Sequence, residues 1–200
     1  MDSTDALICI PDITGFTQFM SESDLSNSRK IIPSLLNKII YSNDIGLKVS
    51  EIEGDAVLFF RSGELPSLQD LIGQSQKFYT EFNHKLKDFM FQYSNEGDFD
   101  ALNERLGLKI IWHYGPITME RVGTHLKLIG EDVIVAHRLL KNKVELDEYV
   151  LLTKELMDKY PNEEKEPLNQ FFTFSTENYD HIGRLPYYFI DALNLNKVSV

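Results

Sequence analysis

The sequence predicts an α+β fold, a ferredoxin-like βαββαβ core in which helices pack on a mixed, mostly antiparallel sheet. Three observations lead to this prediction. Strand and helix patterns alternate along the chain, an apolar run over residues 6–11 opens it, and Gly54-Asp55 separates two β-rich runs as a tight hairpin turn would. We expect the helices on one face of the sheet.

The first half of the chain predicts a strand, a helix, a hairpin and a second helix. Residues 7–11 are continuously apolar, which is typical of a buried strand. A helix is predicted over about 25–41, where Pro33 marks its first turn or a kink. The hairpin covers 47–60, and apolar residues at helical spacing over 68–91 predict a long amphipathic helix.

The second half continues the alternation with shorter elements. Residues 95–100 are polar and predict a loop. The remaining predicted elements are a strand over 106–113, a hairpin through 122 to 128, a helix over 133–140, a strand over 149–152, a helix over 154–160, an acidic loop over 162–167, and strands over 171–174 and 187–192.

Length and composition fit one domain over residues 1–200. The chain is 42% apolar and 12% aromatic, enough for a sizeable core, and no low-complexity linker or repeat marks a boundary. The net charge of −11 disfavours nucleic acid and anionic membranes as partners, because phosphate repels such a surface. The single cysteine, Cys9, allows no intrachain disulfide. No run approaches the roughly twenty apolar residues of a membrane span, and the start lacks the basic end of a secretory signal, so we expect a cytoplasmic protein.

Two aspartates at strand ends are candidates for a metal site. Asp12 directly precedes a Gly-Phe-Thr turn, and Asp55 lies in the hairpin turn. Mg²⁺ prefers a couple of carboxylates and leaves its other positions to water and phosphate, and a turn with free backbone N–H groups can hold those phosphates. The pattern indicates a metal–nucleotide site; the alternative is that Asp12 caps the next helix and Asp55 only fills its turn.

His113, inside an apolar strand, is expected to be a hydrogen-bonded core residue rather than a catalyst.

Five segments, in order, resemble motifs of the class III nucleotidyl cyclase catalytic domain. They are Pro11-Asp-Ile-Thr-Gly-Phe-Thr17, Ser34-Leu-Leu-Asn37, Glu51-Ile-Glu-Gly-Asp-Ala-Val57, Leu108-Lys-Ile-Ile-Trp-His-Tyr-Gly115 and Gly130-Glu-Asp-Val-Ile-Val-Ala-His-Arg-Leu139. The order and spacing agree from about residue 6 to residue 155. The resemblance implies the fold predicted above and a divergent, bacterial-type adenylyl or guanylyl cyclase-like domain.

The resemblance also implies roles for the matched residues. Asp12 and Asp55 would hold Mg²⁺ or Mn²⁺, with the carbonyl of Ile13 as a further ligand, and Arg138 would be the catalytic arginine. Phosphates of a nucleoside triphosphate would bind the backbone of Thr14, Gly15, Phe16 and Thr17. In the family, the aspartates come from one subunit and the arginine-bearing helix from the other, so a homodimer with two sites at its interface is implied.

Glu51 and Lys127 fall at or near the two positions that read the base in the family. A carboxylate accepts hydrogen bonds from guanine N1 and N2, and a lysine donates to a keto oxygen, so the pair indicates a keto-bearing base rather than adenine. The alternative is that the two side chains pair with each other across neighbouring strands.

Two departures from the family bear on catalysis. Ile134 stands where the family has the asparagine that orients the ribose, and the last hairpin offers only Arg184 or His181 in place of a triphosphate-binding lysine. Removing one oriented donor costs about 10²–10³ in rate. Three functions remain: a lyase that converts a nucleoside triphosphate to a 3′,5′-cyclic nucleotide and pyrophosphate, a catalytically degenerate homologue that binds nucleotide or metal, and a dimeric interaction module.

Overall fold

One eight-stranded sheet organises the computed structural model, which describes residues 3–22, 25–93, 106–123 and 125–198. Its strands are β1 (Thr4–Thr14), β2 (Lys48–Glu53), β3 (Ala56–Ser62), β4 (Gly107–Val122), β5 (His125–Ile129), β6 (Tyr149–Thr153), β7 (Thr173–Tyr179) and β8 (Gly183–Asp191). Their order is β2-β3-β1-β4-β6-β8-β7, with β5 paired to β4. The β4–β6 pair is parallel and the others are antiparallel, which confirms the predicted mixed, mostly antiparallel sheet.

Three helices lie close to their predicted positions, at 25–41, 68–93 and 131–139, and the helix predicted over 154–160 is a shorter one. The helices are α1 (Phe16–Glu22), α2 (Leu25–Tyr41), α3 (Leu68–Tyr93), α4 (Glu131–Leu139), α5 (Lys154–Met157) and α6 (Asn162–Lys165), followed by a 3₁₀ helix at Ala192–Lys197. None of the helices within the described ranges combines the length and the apolar character needed to cross a membrane.

Helices cover both faces of the sheet, not one face as expected. Residues 6–13 of β1 are buried without a break, so the strand has core on both sides. Leu7 and Cys9 pack with α2 and α3, whereas Ile8 and Ile10 pack with α4. Because side chains alternate between faces, Asp12 lies on the α4 face.

The bounds of several elements differ from the predicted ones. The first strand continues past residue 11 to Thr14, because Asp12 and Ile13 still pair with β4. Pro33 lies inside α2 rather than in its first turn. The acidic run forms the one-turn helix α6, and the last two strands are a longer hairpin than predicted. The predicted loop over 95–100 lies outside the described residues.

Candidate functional site

The sheet brings Asp12 and Asp55 together. Asp12 on β1 is opposite Ala56, the first residue of β3, and Asp55 precedes Ala56 in the β2–β3 turn. The backbone N–H of Ile13 donates to the carbonyl oxygen of Asp55 at 3.1 Å, which ties the two segments to each other. Gly54 makes the turn possible with φ +62°, a conformation that strains other residues. The predicted convergence of the two aspartates is therefore present in the fold.

Both carboxylates are held where negative charge is unfavourable. Burial raises the pKa of Asp12 above its ordinary value, and Lys109 partly offsets that rise. The pKa of Asp55 is also raised, first by burial and second by the charge of Asp12. Two partly buried carboxylates, of which Asp12 disfavours the ionised form of Asp55, create a place where a cation is stabilised.

Lys109 supplies positive charge at this place, and sequence reasoning missed it. It lies on β4 directly opposite Asp12, and its Nζ is 2.8 Å from Oδ2 of Asp12. The same ammonium donates to the carbonyl oxygen of Leu140, at the C-terminal end of α4, at 3.0 Å. A lone lysine in the otherwise apolar stretch 106–112 was the available signal, since a buried strand rarely carries an unpaired charge.

The turn after Asp12, which is predicted to bind phosphate, is centred on Gly15. Thr14 ends β1, Gly15 adopts φ +75°, and α1 starts at Phe16. Gly15 and Thr17 are exposed. The turn therefore presents backbone to solvent beside Asp12.

Glu51 and Lys127 lie close together within one chain. Nζ of Lys127 is 3.4 Å from Oε2 of Glu51, and the Lys127 side chain is 50% exposed. The two side chains thus pair with each other, although β2 and β5 are not neighbouring strands of the sheet. An exposed pair of this kind is worth at most about 1 kcal/mol, so either partner can turn to another ligand at little cost.

Helix α4 presents Ile134 and Arg138 to solvent. Ile134 is 54% exposed and Arg138 is exposed on the same face, one turn later. The charge of Arg138 acts on Tyr179, whose pKa is raised mainly by burial, and Arg138 offsets a small part of that rise. Arg138 therefore lies near Tyr179, the last residue of β7.

A buried hydrogen-bonded chain anchors α4 to the sheet. Nε2 of His113 is 2.8 Å from Oδ1 of Asp132 in the first turn of α4, and its Nδ1 is 2.9 Å from Oγ1 of Thr153. His113 is 1% exposed, so it is the satisfied core residue that the sequence predicts. Gly115 leaves the space that the Asp132 carboxylate fills.

The donor set fits a hard divalent cation. Asp12, Asp55 and the backbone carbonyl of Ile13 offer oxygen ligands, which Mg²⁺ and Mn²⁺ prefer. Within the described ranges, three or more His, Cys, Asp or Glu side chains nowhere gather closely enough to hold a metal ion. A cation here would complete its shell with water or phosphate, as Mg²⁺ commonly does.

A family model described as "Protein of unknown function (DUF2652)" matches residues 32–149, more than half of this 200-residue chain. The chain belongs to that family. The matched segment contains Asp55, Lys109 and α4 but not Asp12. "Uncharacterized protein Rv2561/Rv2562" of Mycobacterium tuberculosis is 25% identical over 146 residues, which cover 73% of this chain and 66% of that protein, just under two thirds of its length.

Several solved cyclase structures have the same fold as this member of the DUF2652 family. The adenylyl cyclase CyaB from P. aeruginosa has a TM-score of 0.58 and 16% identity, with 95% of each chain covered. The guanylate cyclase domain of RhGC from Catenaria anguillulae, in complex with GTP, has a TM-score of 0.60 and 17% identity, covering 95% of this chain and 98% of that one. The guanylyl cyclase Cya2 has a TM-score of 0.61 and 15% identity, covering 94% and 92%. At these identities the likeness establishes a cyclase-type fold.

Proposed function

We propose that this protein is a class III nucleotidyl cyclase-like enzyme that converts a nucleoside triphosphate to a 3′,5′-cyclic nucleotide and pyrophosphate. One observation carries the proposal: Asp12 and Asp55 lie close together in a protein that has a cyclase-type fold. The pKa of each carboxyl is raised, which favours a bound cation. The GTP complex of a neighbour with the same fold supports a nucleotide as the ligand.

Each residue of the proposed site has a distinct task. Asp12, Asp55 and the Ile13 carbonyl hold Mg²⁺ or Mn²⁺, which when bound polarises the ribose 3′-hydroxyl and neutralises the triphosphate. The backbone N–H groups of the 14–17 turn bind phosphate oxygens, and Gly15 allows their close approach. Arg138 stabilises the charge that develops on the phosphates in the transition state.

The proposed enzyme is a two-fold homodimer, because the resemblance implies that the aspartates and the arginine-bearing helix of each site come from different subunits. Arg138 and Ile134 share the exposed face of α4, which suits a site completed by a second copy. Exposed apolar side chains on neighbouring elements support a contact there: Val49, Ile52, Met119 and Ile129.

Glu51 and Lys127 are proposed to read the base. Their exposed ion pair opens easily, after which Glu51 can accept hydrogen bonds from guanine and Lys127 can donate to its keto oxygen. GTP should therefore be preferred to ATP.

A specific observation favours a second candidate, a homologue that binds nucleotide and metal without turnover. Ile134 is 54% exposed at the position where the resemblance places a ribose-orienting asparagine. An isoleucine cannot hydrogen-bond the ribose, so the nucleophile would be less well oriented.

The two candidates are separated by one assay. The protein is incubated with ATP, GTP, CTP or UTP and Mn²⁺, the nucleotides are analysed by chromatography and mass spectrometry, and binding is followed by thermal shift. Cyclic product from the wild type, with none from Asp55→Asn, supports the enzyme. Mn²⁺-dependent nucleotide binding without product supports the second candidate, and absence of both contradicts each.

A further inference from the structure

We propose that the ammonium of Lys109 is the resident counter-ion of the Asp12–Asp55 site and that a divalent cation must displace it in order to bind. This inference rests on the metal half of the proposed function and adds how cation binding at that site is controlled. Lys109 would set the metal affinity of the protein by competing with the metal for Asp12.

The geometry places Lys109 inside the site rather than at its rim. Its side chain is 17% exposed and that of Asp12 is 12% exposed, and Nζ is 2.8 Å from Oδ2 of Asp12. A charge-assisted hydrogen bond of this length occupies a lone pair that a metal ion would need. The charge of Lys109 also acts on Asp55, whose pKa it lowers against the larger rise from burial and from Asp12.

Charge balance explains why the ammonium and a divalent cation compete. Asp12 and Asp55 carry two negative charges, of which Lys109 compensates one. A divalent cation compensates both, and a lysine left at hydrogen-bond distance would repel it strongly in a partly buried site. The stable arrangements therefore hold the ammonium or the metal on Asp12, and not both.

A second partner keeps the displaced lysine in place. Nζ of Lys109 also donates to the carbonyl oxygen of Leu140 at 3.0 Å. The end of a helix carries partial negative charge, so this carbonyl remains a favourable contact for an ammonium that has left Asp12. The lysine can thus exchange with a cation by a small rotation of its side chain, without leaving the protein.

The first test measures Mn²⁺ affinity from the electron paramagnetic resonance signal of the free ion. Lys109→Met, which removes the charge, should bind Mn²⁺ at least about tenfold more tightly than the wild type. Lys109→Arg keeps the charge and should stay within about threefold of the wild type. Lys143→Met is the matched control, because Lys143 also faces a buried carboxylate, that of Glu177, at 3.5 Å, but lies in the loop after α4; its Mn²⁺ affinity should not change. Equal or weaker Mn²⁺ binding by Lys109→Met, or no binding by any variant, overturns the proposal.

A second measurement uses the wild-type protein alone, in case Lys109→Met does not fold. Brief labelling with an amine-acetylating reagent is followed by peptide mass spectrometry, with and without Mg²⁺. Displacement from Asp12 should raise the labelling rate of Lys109 severalfold and leave that of Lys143 unchanged. An unchanged rate at Lys109 contradicts displacement. If the proposed enzymatic function is wrong but the Lys109 proposal is right, no cyclic nucleotide forms, while the expected Mn²⁺ affinities and labelling rates are still observed.

Discussion

At the scale of single residues, the two aspartates differ in what their charge does to the folded state. Asp12 forms an ion pair with Lys109, so its removal leaves a partly buried ammonium without its partner. Asp55 lies in a turn, and the pKa of its carboxyl is raised by burial and by Asp12. Burial raises the pKa of Asp12 too, but its carboxylate is the ion-pair partner of Lys109, so Asp12 contributes to the structure as well as to the proposed site. The ionised form of Asp55 is a cost to stability that a cation would relieve.

Asp55→Asn should abolish Mn²⁺ binding and slightly raise stability. Asparagine fits the turn after Gly54 and removes a carboxylate whose ionised form is disfavoured. Because the site is partly solvated, we expect a gain below about 1 kcal/mol in the free energy of unfolding at pH 7. Urea unfolding measures the gain, and Asp12→Asn is the contrast, with an expected loss of stability.

The stability that Asp55→Asn gains over the wild type should decrease as the pH falls. The folded-state pKa of Asp55 lies above its ordinary value of 3.8, so the folded protein binds that proton more tightly than the unfolded chain does. The penalty is present above the raised pKa and disappears as the pH falls through it toward about 4. The stabilities of wild type and Asp55→Asn should therefore converge in acid. A difference that widens as the pH falls would contradict the electrostatic origin.

At the residue level, the positions of Asp12 and Asp55 could be predicted because they follow from local order, whereas their role as metal ligands stays a prediction. Asp12 follows an apolar strand and Asp55 lies in a Gly-Asp turn, so both could be identified without the fold. Lys109 could not be assigned to Asp12, because the pairing depends on the register between β1 and β4, which are about 100 residues apart in the chain. The pairing of Glu51 with Lys127 was one of two alternatives, and only the fold placed the atoms 3.4 Å apart.

At the scale of elements, α4 is oriented by its buried anchor to His113. The exposed face with Ile134 and Arg138 is set by the opposite, buried face, on which Asp132 hydrogen-bonds His113. A disturbance of this anchor should change the direction in which the exposed face points.

Gly115→Ala should directly disturb the Asp132–His113 hydrogen bond that anchors α4. An added Cβ would lie 2.2 Å from Cγ and Oδ1 of Asp132, so the carboxylate must leave His113. The expected loss is about 1–3 kcal/mol in the free energy of unfolding, from the clash and the broken hydrogen bond. In an Asp132→Ala background the same substitution should cost clearly less, which a double-mutant cycle in urea measures. If Gly115→Ala destabilises the wild type and the Asp132→Ala variant equally, the clash with Asp132 is not the cause of the destabilisation.

Ile134→Asn tests the element's proposed catalytic face. An exposed position tolerates the change, so stability should shift by less than about 0.5 kcal/mol. If the amide orients the ribose, kcat should rise by on the order of tenfold or more while nucleotide affinity changes little. Ile134→Ala removes the apolar side chain without adding an amide and should give no such rise. A variant that folds, binds nucleotide and still forms no product would support binding without turnover.

At the scale of the whole molecule, the five motifs together predicted the fold because they occur in the right order. No single motif predicts a catalytic role equally well. Their order constrains the path of the chain, and the solved cyclases confirm the architecture. The side of the sheet taken by α4 was not predictable, because a continuously apolar strand such as β1 shows that both faces are buried but not which helix covers each. Assembly was not predictable from composition either, since it depends on which exposed faces are complementary.

Complementation between two inactive variants tests the assembly. If Asp55 acts with Arg138 of a second copy, a dimer of Asp55→Asn with Arg138→Ala contains one intact site and one doubly altered site. Mixing the two proteins in equal amounts under conditions of subunit exchange makes about half of the dimers mixed, so about a quarter of wild-type sites should return. Cyclic product, or Mn²⁺-dependent GTP binding if turnover is absent, measures the recovery, and each variant alone should stay near zero. Mixed dimers detected by native mass spectrometry without any recovery would mean that both residues act within one chain, or that Arg138 faces solvent for another reason.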